Sequence, residues 1–510
     1  MKKLPLSKIF IVSVFVGVVV KGIAGGRGVK AVLLNLVATF ALTFGVSMIL
    51  PPFSLIGDLV NLYLWVGMIY TIAVHWRDKD IDSEGALGKA TFSTMKDLQN
   101  EGLVGAGVVL GKMNGQLIEK PSKKEGHTLV IGGTGTGKTR GHGIPTLVRW
   151  EGTGLVVDIK GELNQKTAHL KPNSIIFSTE KQLARYNPLD FVKEIEDVQE
   201  IGRNMFPVPQ KGDPFWVQCA QSVFAAACWE YRNEKSFAEV AQFLCSMPGQ
   251  EIIQILLASE QMETRILANT VTDLKPEALA GIFAEIRGKL ATIAVDKTIQ
   301  YATSKSDFSP EDIENSMIYL QVSEARLKQY GEIFTVIIGQ FLRYLTNREE
   351  AKNPPVLIML DEFPRLGKMS EIVGGLATLR SRNVHLMLII QSLTQLDTIY
   401  GKDERKVIVD NCSFKLVINA TDTETQKYFS DMAGQKTVKL KTFSQGEGYR
   451  KEQTFTTSEQ GVPLIRPEEF GVLEKPILFA YRLRPAELDR SFWDQDSEMR
   501  MLVDSRAEVS

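Results

Sequence analysis

Residues 127–139, HTLVIGGTGTGKT, decide how this chain is read. Leu129, Val130 and Ile131 form a short apolar run, as in a buried strand. The run empties directly into Gly132, Gly133, Thr134, Gly135, Thr136, Gly137, Lys138 and Thr139. The spacing is G-x-x-x-x-G-K-[ST], a phosphate-cradling loop. Its glycines let successive backbone N–H groups turn inward around an anion, and the following helix adds its positive end. In that arrangement Lys138 reaches the β- and γ-phosphates of a nucleoside triphosphate, and the Thr139 hydroxyl ligates Mg²⁺. The run from Thr146 to Trp150 is compatible with the helix that such a loop requires.

Hydrolysis calls for a second, acidic strand. Val356 to Leu360 is a continuous apolar run, as in a parallel strand covered on both faces, and it ends in Asp361 and Glu362. Asp361 suits the Mg²⁺ water shell, and Glu362 can polarise the attacking water. Leu386 to Ile390 is a further apolar strand and ends in Gln391, an amide able to orient water beside the γ-phosphate; a plain strand-to-helix turn would read the same way. Asp158 closes the run Leu155 to Val157. Polar groups thus sit at several strand ends, where open α/β sheets bind ligands. Arg380 and Arg382 precede the Leu386 run. Either could act in trans on a neighbouring subunit's phosphates, a role worth about 10³–10⁵ in rate. Arginines at a sheet edge are more commonly solvated or ion-paired.

The 510 residues carry 59 basic and 60 acidic side chains, so no basic bias announces nucleic acid and any such contact is local. Cys219, Cys228, Cys245 and Cys412 lack metal-ligand spacing and read as reduced cytosolic thiols. The five histidines are scattered and suggest no metal site.

Residues 1–76 differ in kind from the rest. Ala31 to Leu50 is uncharged and apolar, long enough to cross a bilayer. Leu55 to Val74 is comparable, with Asp58 near an interface and Pro51-Pro52 as the turn between the two. Lys21, Arg27 and Lys30 precede the pair and Arg77 and Lys79 follow it, which puts both outer ends in the cytoplasm. A third, shorter run from Ile9 to Val20 leaves the count of spans at two or three. Beyond this transmembrane region, residues 77–126 read as a linker with short strands. Residues 127–190 and 308–485 read as one α/β nucleotide-binding domain, interrupted at 191–307 by an all-α domain. Residues 486–510, rich in acids, read as a solvated tail.

The phosphate loop is followed in order by Asp158-Ile159-Lys160-Gly161-Glu162, Arg185-Tyr186-Asn187-Pro188-Leu189 and Asp213-Pro214-Phe215-Trp216. Leu360-Asp361-Glu362-Phe363 and Ile390-Gln391-Ser392 come next. Together with two early membrane runs, this ordered set resembles the TraG-like type IV secretion coupling proteins, inner-membrane ATPases of bacterial conjugation. Ile159 departs from the family, which usually has proline there. The resemblance implies a RecA-like P-loop domain that binds ATP and Mg²⁺ and assembles as a homo-hexamer over a central channel. It implies that Lys138, Asp361, Glu362 and Gln391 serve ATP, with Arg380 the natural trans arginine. It further implies inserted helices that meet the relaxase and relaxosome accessory proteins on single-stranded DNA, and membrane helices that dock on the secretion channel. The expected location is the bacterial inner membrane, multi-pass, with the ATPase domain in the cytoplasm. The leading expectation is therefore an ATP-driven DNA translocase for conjugation. A coupler of protein effectors without a DNA role and a nucleotide-stabilised recruitment platform are the alternatives.

Overall fold

The computed structural model describes residues 87–505 apart from 172, 210–211, 350–353 and 446–452, with a few isolated positions between 59 and 66. Apart from those isolated positions, the membrane runs read in residues 1–76 lie outside the described residues, among which no helix is long and apolar enough to cross a membrane. The chain divides at Lys89, and the unit from Ala90 onward holds the domain described below.

Its strands are β1 (Gly107–Met113), β2 (Gln116–Pro121), β3 (Thr128–Ile131), β4 (Thr153–Asp158), β5 (Ser174–Ser178), β6 (Met317–Gln321), β7 (Val356–Leu360), β8 (Val384–Ile390), β9 (Phe414–Val417), β10 (Gln435–Gln445), β11 (Gln453–Pro463), β12 (Ile477–Ala480) and β13 (Ala486–Glu487). One nine-stranded sheet runs in the order β13-β12-β9-β3-β8-β7-β4-β6-β5. Every neighbouring pair from β9 to β5 is parallel, while β12 and β13 turn antiparallel. The β1–β2 and β10–β11 pairs are separate antiparallel ribbons.

Parallel neighbours need crossover connections, which lay helices on both faces of a sheet. That is why the strand runs are apolar without alternation. Along β3, Leu129 and Ile131 join one core with Ile358, Leu360, Leu388 and Ile390; Val130 joins the opposite core with Leu357, Met359, Met387 and Ile389. The first face is covered by helix Leu327–Thr346 through Ile333, Phe334, Ile337 and Phe341. The second is covered by the β1–β2 hairpin through Val108, Leu110 and Ile118, and by helix Ile144–Arg149 through Ile144 and Leu147. Each such side chain contributes about 1.5–3 kcal/mol by leaving water, so these two layers fix the sheet.

The crossover from β5 to β6 runs through helices Ile195–Met205, Phe215–Tyr231, Phe237–Ser246, Gly249–Leu257, Met262–Asn269, Pro276–Val295 and Lys297–Ala302. Local sequence sets their ends. Ser236 and Glu239 form a capping box, Asp296 caps Lys297–Ala302, and Pro276 occupies a first-turn position where its missing N–H costs nothing. Phe224, Phe237, Ala241, Ile286 and Leu290 pack into the same core as the first face of the sheet.

The reading of residues 486–510 as a solvated tail fails up to residue 505. β13 adds to the sheet edge, Leu488 and Ser491 are buried, and helix Ser497–Asp504, capped by Asp496, buries Met499 and Val503. The acids that suggested solvation are paired instead: Asp494 with Arg140 and Asp496 with Lys112. Basic partners hundreds of positions away leave no trace in the local composition.

Candidate nucleotide site

Because β3, β7 and β8 are parallel, their C-terminal ends open on one edge, and β8 lies between the other two. Topology alone therefore sets Gln391 between the phosphate loop and the acid pair. The loop bends at Gly135 and Gly137, with φ of 77° and 82°, a region open to glycine at little cost. A side chain at Gly137 would have no room besides, since its Cβ would lie 2.8 Å from Phe492 Cε1. The loop is held from outside: Gly133 N donates to Asn419 Oδ1 at 2.7 Å, and Arg490 Nη1 donates to the Thr136 carbonyl at 2.7 Å. Thr136 Oγ1 donates inward to the Gly133 carbonyl at 2.9 Å. Thr139–Gly143 then forms a π-helical turn, a form that concentrates at functional sites, before helix Ile144–Arg149 begins.

Lys138 is buried. Its ammonium donates to the carbonyls of Gly132 at 2.7 Å and Gly133 at 3.1 Å, and lies 3.6 Å from Glu362 Oε1. Glu362 itself sits at φ 51°, a left-handed conformation that costs a non-glycine residue about 1–2 kcal/mol. Gln391 Nε2 donates to Glu362 Oε2 at 2.8 Å, so both oxygens of this carboxylate are engaged. The Thr139 hydroxyl lies 3.5 Å from Asp361 Oδ2. Burial, and next the charge of Glu362, push the Asp361 carboxyl up to about 6 against the pull of Lys138. Asp158, at the end of β4, is also raised by burial; it accepts from the Asn164 N–H at 2.8 Å and so braces the turn after its strand.

A hydroxyl and a buried carboxylate side by side at a phosphate loop are hard oxygen donors, which fit Mg²⁺. Among the described residues no group of three or more His, Cys, Asp or Glu could hold a metal alone. Mg²⁺ typically keeps waters and takes substrate phosphate oxygens, so few protein ligands suffice for it.

The fold thus brings Lys138, Thr139, Asp361, Glu362 and Gln391 to one place with the loop Gly132 to Gly137. It does not bring Arg380. That residue is exposed near the end of helix Ser370–Ser381, before β8 begins, and the seven residues of β8 put it about 20 Å from the Gln391 end. Arg382 lies at the same far edge, where its carbonyl accepts from Arg348. Neither can serve the site of its own chain. Sequence reasoning missed Asn419, Arg490 and Phe492. Asn419 directly follows the stretch Phe414–Ile418, apolar apart from Lys415, much the strand-end pattern that marked Gln391. No local signal marks the other two.

Fold and site together define a RecA-like α/β domain with a phosphate-binding loop. Residues 78–508 match the family described as Type IV secretory system Conjugative DNA transfer, and the chain belongs to that family. It is 26% identical over 403 residues to Protein VirD4 of Rhizobium rhizogenes, which covers 74% of this chain and 60% of that protein. It is 25% identical over 393 residues to Conjugal transfer protein TraG of Escherichia coli, covering 67% and 61%. The chain therefore spans about three-fifths of the length of these curated relatives. Among solved structures, plasmid coupling protein TrwB in complex with the non-hydrolysable ATP analogue ADPNP superposes with a TM-score of 0.64 at 17% identity, over 80% of this chain and 97% of that one. TrwB in complex with ADP and Mg²⁺ gives a TM-score of 0.59 at 16% identity, over 79% and 93%.

Proposed function

We propose that the protein is a membrane-anchored ATPase that drives the relaxase–DNA complex of conjugation into a type IV secretion channel. The observation that carries this reading is the meeting of Lys138, Thr139, Asp361, Glu362 and Gln391 on one sheet edge, in a chain of the conjugative DNA transfer family. A recruitment platform would have no use for the second carboxylate.

In this reading the loop N–H groups hold the triphosphate, and Lys138 exchanges the Gly132 and Gly133 carbonyls for phosphate oxygens. Thr139 and Asp361 would hold Mg²⁺, which neutralises charge on the β- and γ-phosphates. Once Lys138 turns to phosphate, Glu362 is free to take a proton from water, and Gln391 keeps that carboxylate aimed. Arg380, remote from its own site, acts in trans within a homo-hexameric ring. Single-stranded DNA passes through that ring on its phosphate backbone, the inserted helices receive the relaxase and its accessory proteins, and residues 1–76 anchor the assembly in the inner membrane beside the channel, with the ATPase domain in the cytoplasm.

Steady-state hydrolysis by the full-length protein, with and without single-stranded DNA, tests the reading. DNA should stimulate turnover, Lys138→Ala should abolish it, and Glu362→Gln should lower it by about 10²–10⁴ while nucleotide binding persists. Unchanged hydrolysis in both variants would remove the assigned chemistry. Filter binding to single-stranded DNA at several salt concentrations separates the DNA role from protein-only coupling: affinity should fall steeply with salt.

A further inference from the structure

The C-terminal segment wraps the outside of the phosphate loop with more contacts than a passing chain needs. Arg490 donates to the Thr136 carbonyl at 2.7 Å. Ser491 Oγ donates to the Gly141 carbonyl at 2.6 Å, inside the π-helical turn. The Phe492 ring occupies the space beside Gly137 and Gly141 that side chains there would fill. Asp494 takes the Arg140 Nε–H at 2.8 Å, and the same guanidinium lies 4.5 Å from the Phe492 ring centre. Behind this, the strap is fastened to the β1–β2 hairpin: Asp489 and Lys112 exchange two backbone hydrogen bonds, at 2.7 and 2.8 Å, and Lys112 Nζ meets Asp496 at 2.8 Å.

These contacts fall on loop atoms that the nucleotide does not use. Arg490 and Ser491 engage the Thr136 and Gly141 carbonyls and so fix the peptide planes on either side of Lys138. A glycine-rich loop has many conformations to lose, so an external brace that removes them before binding lowers the entropy cost of holding phosphate.

Resting on the reading of this edge as a magnesium–ATP site, we infer that Arg490 and Phe492 are positioning residues for nucleotide binding. They preset the phosphate loop through a cis strap, Asp489 to Asp496, without touching the reacting atoms. The strap acts on ground state and transition state alike, so its loss should raise KM and leave kcat in place.

The test uses the full-length protein with magnesium–ATP, by calorimetry and by steady-state hydrolysis. Arg490→Met, which keeps length but removes the donors, should weaken binding about tenfold, the effect of losing one such hydrogen bond and its ordering of the loop. Phe492→Ala should weaken it comparably, and kcat at saturating ATP should stay within about twofold in both. Arg490→Lys and Phe492→Leu should recover most of the affinity, which a purely structural role in stability would not predict. Equal affinity for wild type and both deleterious variants, even with lowered melting temperatures, overturns the strap. Absence of magnesium–ATP binding by wild type overturns the strap together with the nucleotide reading itself.

Discussion

The two ends of the same strands carry buried polar clusters of opposite design. At the C-terminal ends of β3, β7 and β8 the charges are mixed: Lys138 faces Glu362, with Asp361 beside it and Gln391 donating to Glu362. At the N-terminal ends one buried cluster is built of bases. Lys120 Nζ lies 2.6 Å from His385 Nδ1, whose other nitrogen is 3.0 Å from Asn383 Oδ1. His127 Nδ1 accepts from the Leu386 N–H at 3.1 Å, so its Nε2–H donates to the Leu376 carbonyl at 2.7 Å. Burial pushes Lys120 down to about 7 and His127 down to about 4, and it holds His385 well below the usual histidine range. The two histidines are therefore neutral near pH 7 while Lys120 titrates there, and the cluster lies against Trp150, whose ring meets His385 edge-on.

The contrast separates structure from function by how a buried polar group is satisfied. In the Lys120, His127 and His385 cluster the hydrogen-bond partners come from the fold itself. At the near edge Lys138 is held by carbonyls of its own loop and by Glu362, contacts that a triphosphate can displace. The strain at Glu362 sits at this edge too.

The largest effect that would sharpen the contrast is expected at Asp361. Asp361→Asn should lower turnover roughly a hundredfold by removing an anionic magnesium contact. In wild type, magnesium-dependent ATP binding should weaken as pH falls through about 6, because the protonated carboxyl no longer competes for the cation. The Asn variant should lack that step, and an identical pH profile in the two proteins would refute the assignment. Next comes Gln391→Ala, expected to lower kcat about tenfold with little change in KM, since Glu362 keeps its charge but loses its guide. A change confined to KM would move Gln391 out of the reaction.

The smallest effect lies at the opposite edge. Lys120→Met should leave turnover intact and change only the pH dependence of stability. The folded Lys120 pKa lies below its unfolded value of 10.5, so between about 7 and 10.5 the unfolded chain holds more protons and wild type gains stability with rising pH. The gain should approach about 1 kcal/mol per pH unit, and denaturant melts should show a flatter slope in the Met variant. Lost ATPase activity in well-folded Lys120→Met would break the division between the two edges.

Much of the near edge was legible because its information is local. A strand, its polar terminus and a glycine-rich turn occupy adjacent positions, as at Ile131–Gly132, Leu360–Asp361 and Ile390–Gln391. The insertion of helices was legible in the same way, from the change of period after Phe191. Strand order was not, because β3 meets β8 and β9 across more than 250 positions. The buried basic cluster was equally hidden: Lys120, His127 and His385 read as unremarkable polar residues until β2 is laid under β8. The C-terminal strap was misread for a related reason. Its acids look solvated when counted along the chain, and only the distant Arg140 and Lys112 explain them.

The brace on the phosphate loop also has a consequence in time. Phe492 reaches the ribosome's exit about 350 residues after Gly137 and, at ~5–20 residues/s, about 20–70 s later. A growing chain therefore carries its glycine turn unbraced for that interval. On the strap inference above, the loop reaches its full affinity for phosphate only after the segment Asp489–Asp496 has closed on it.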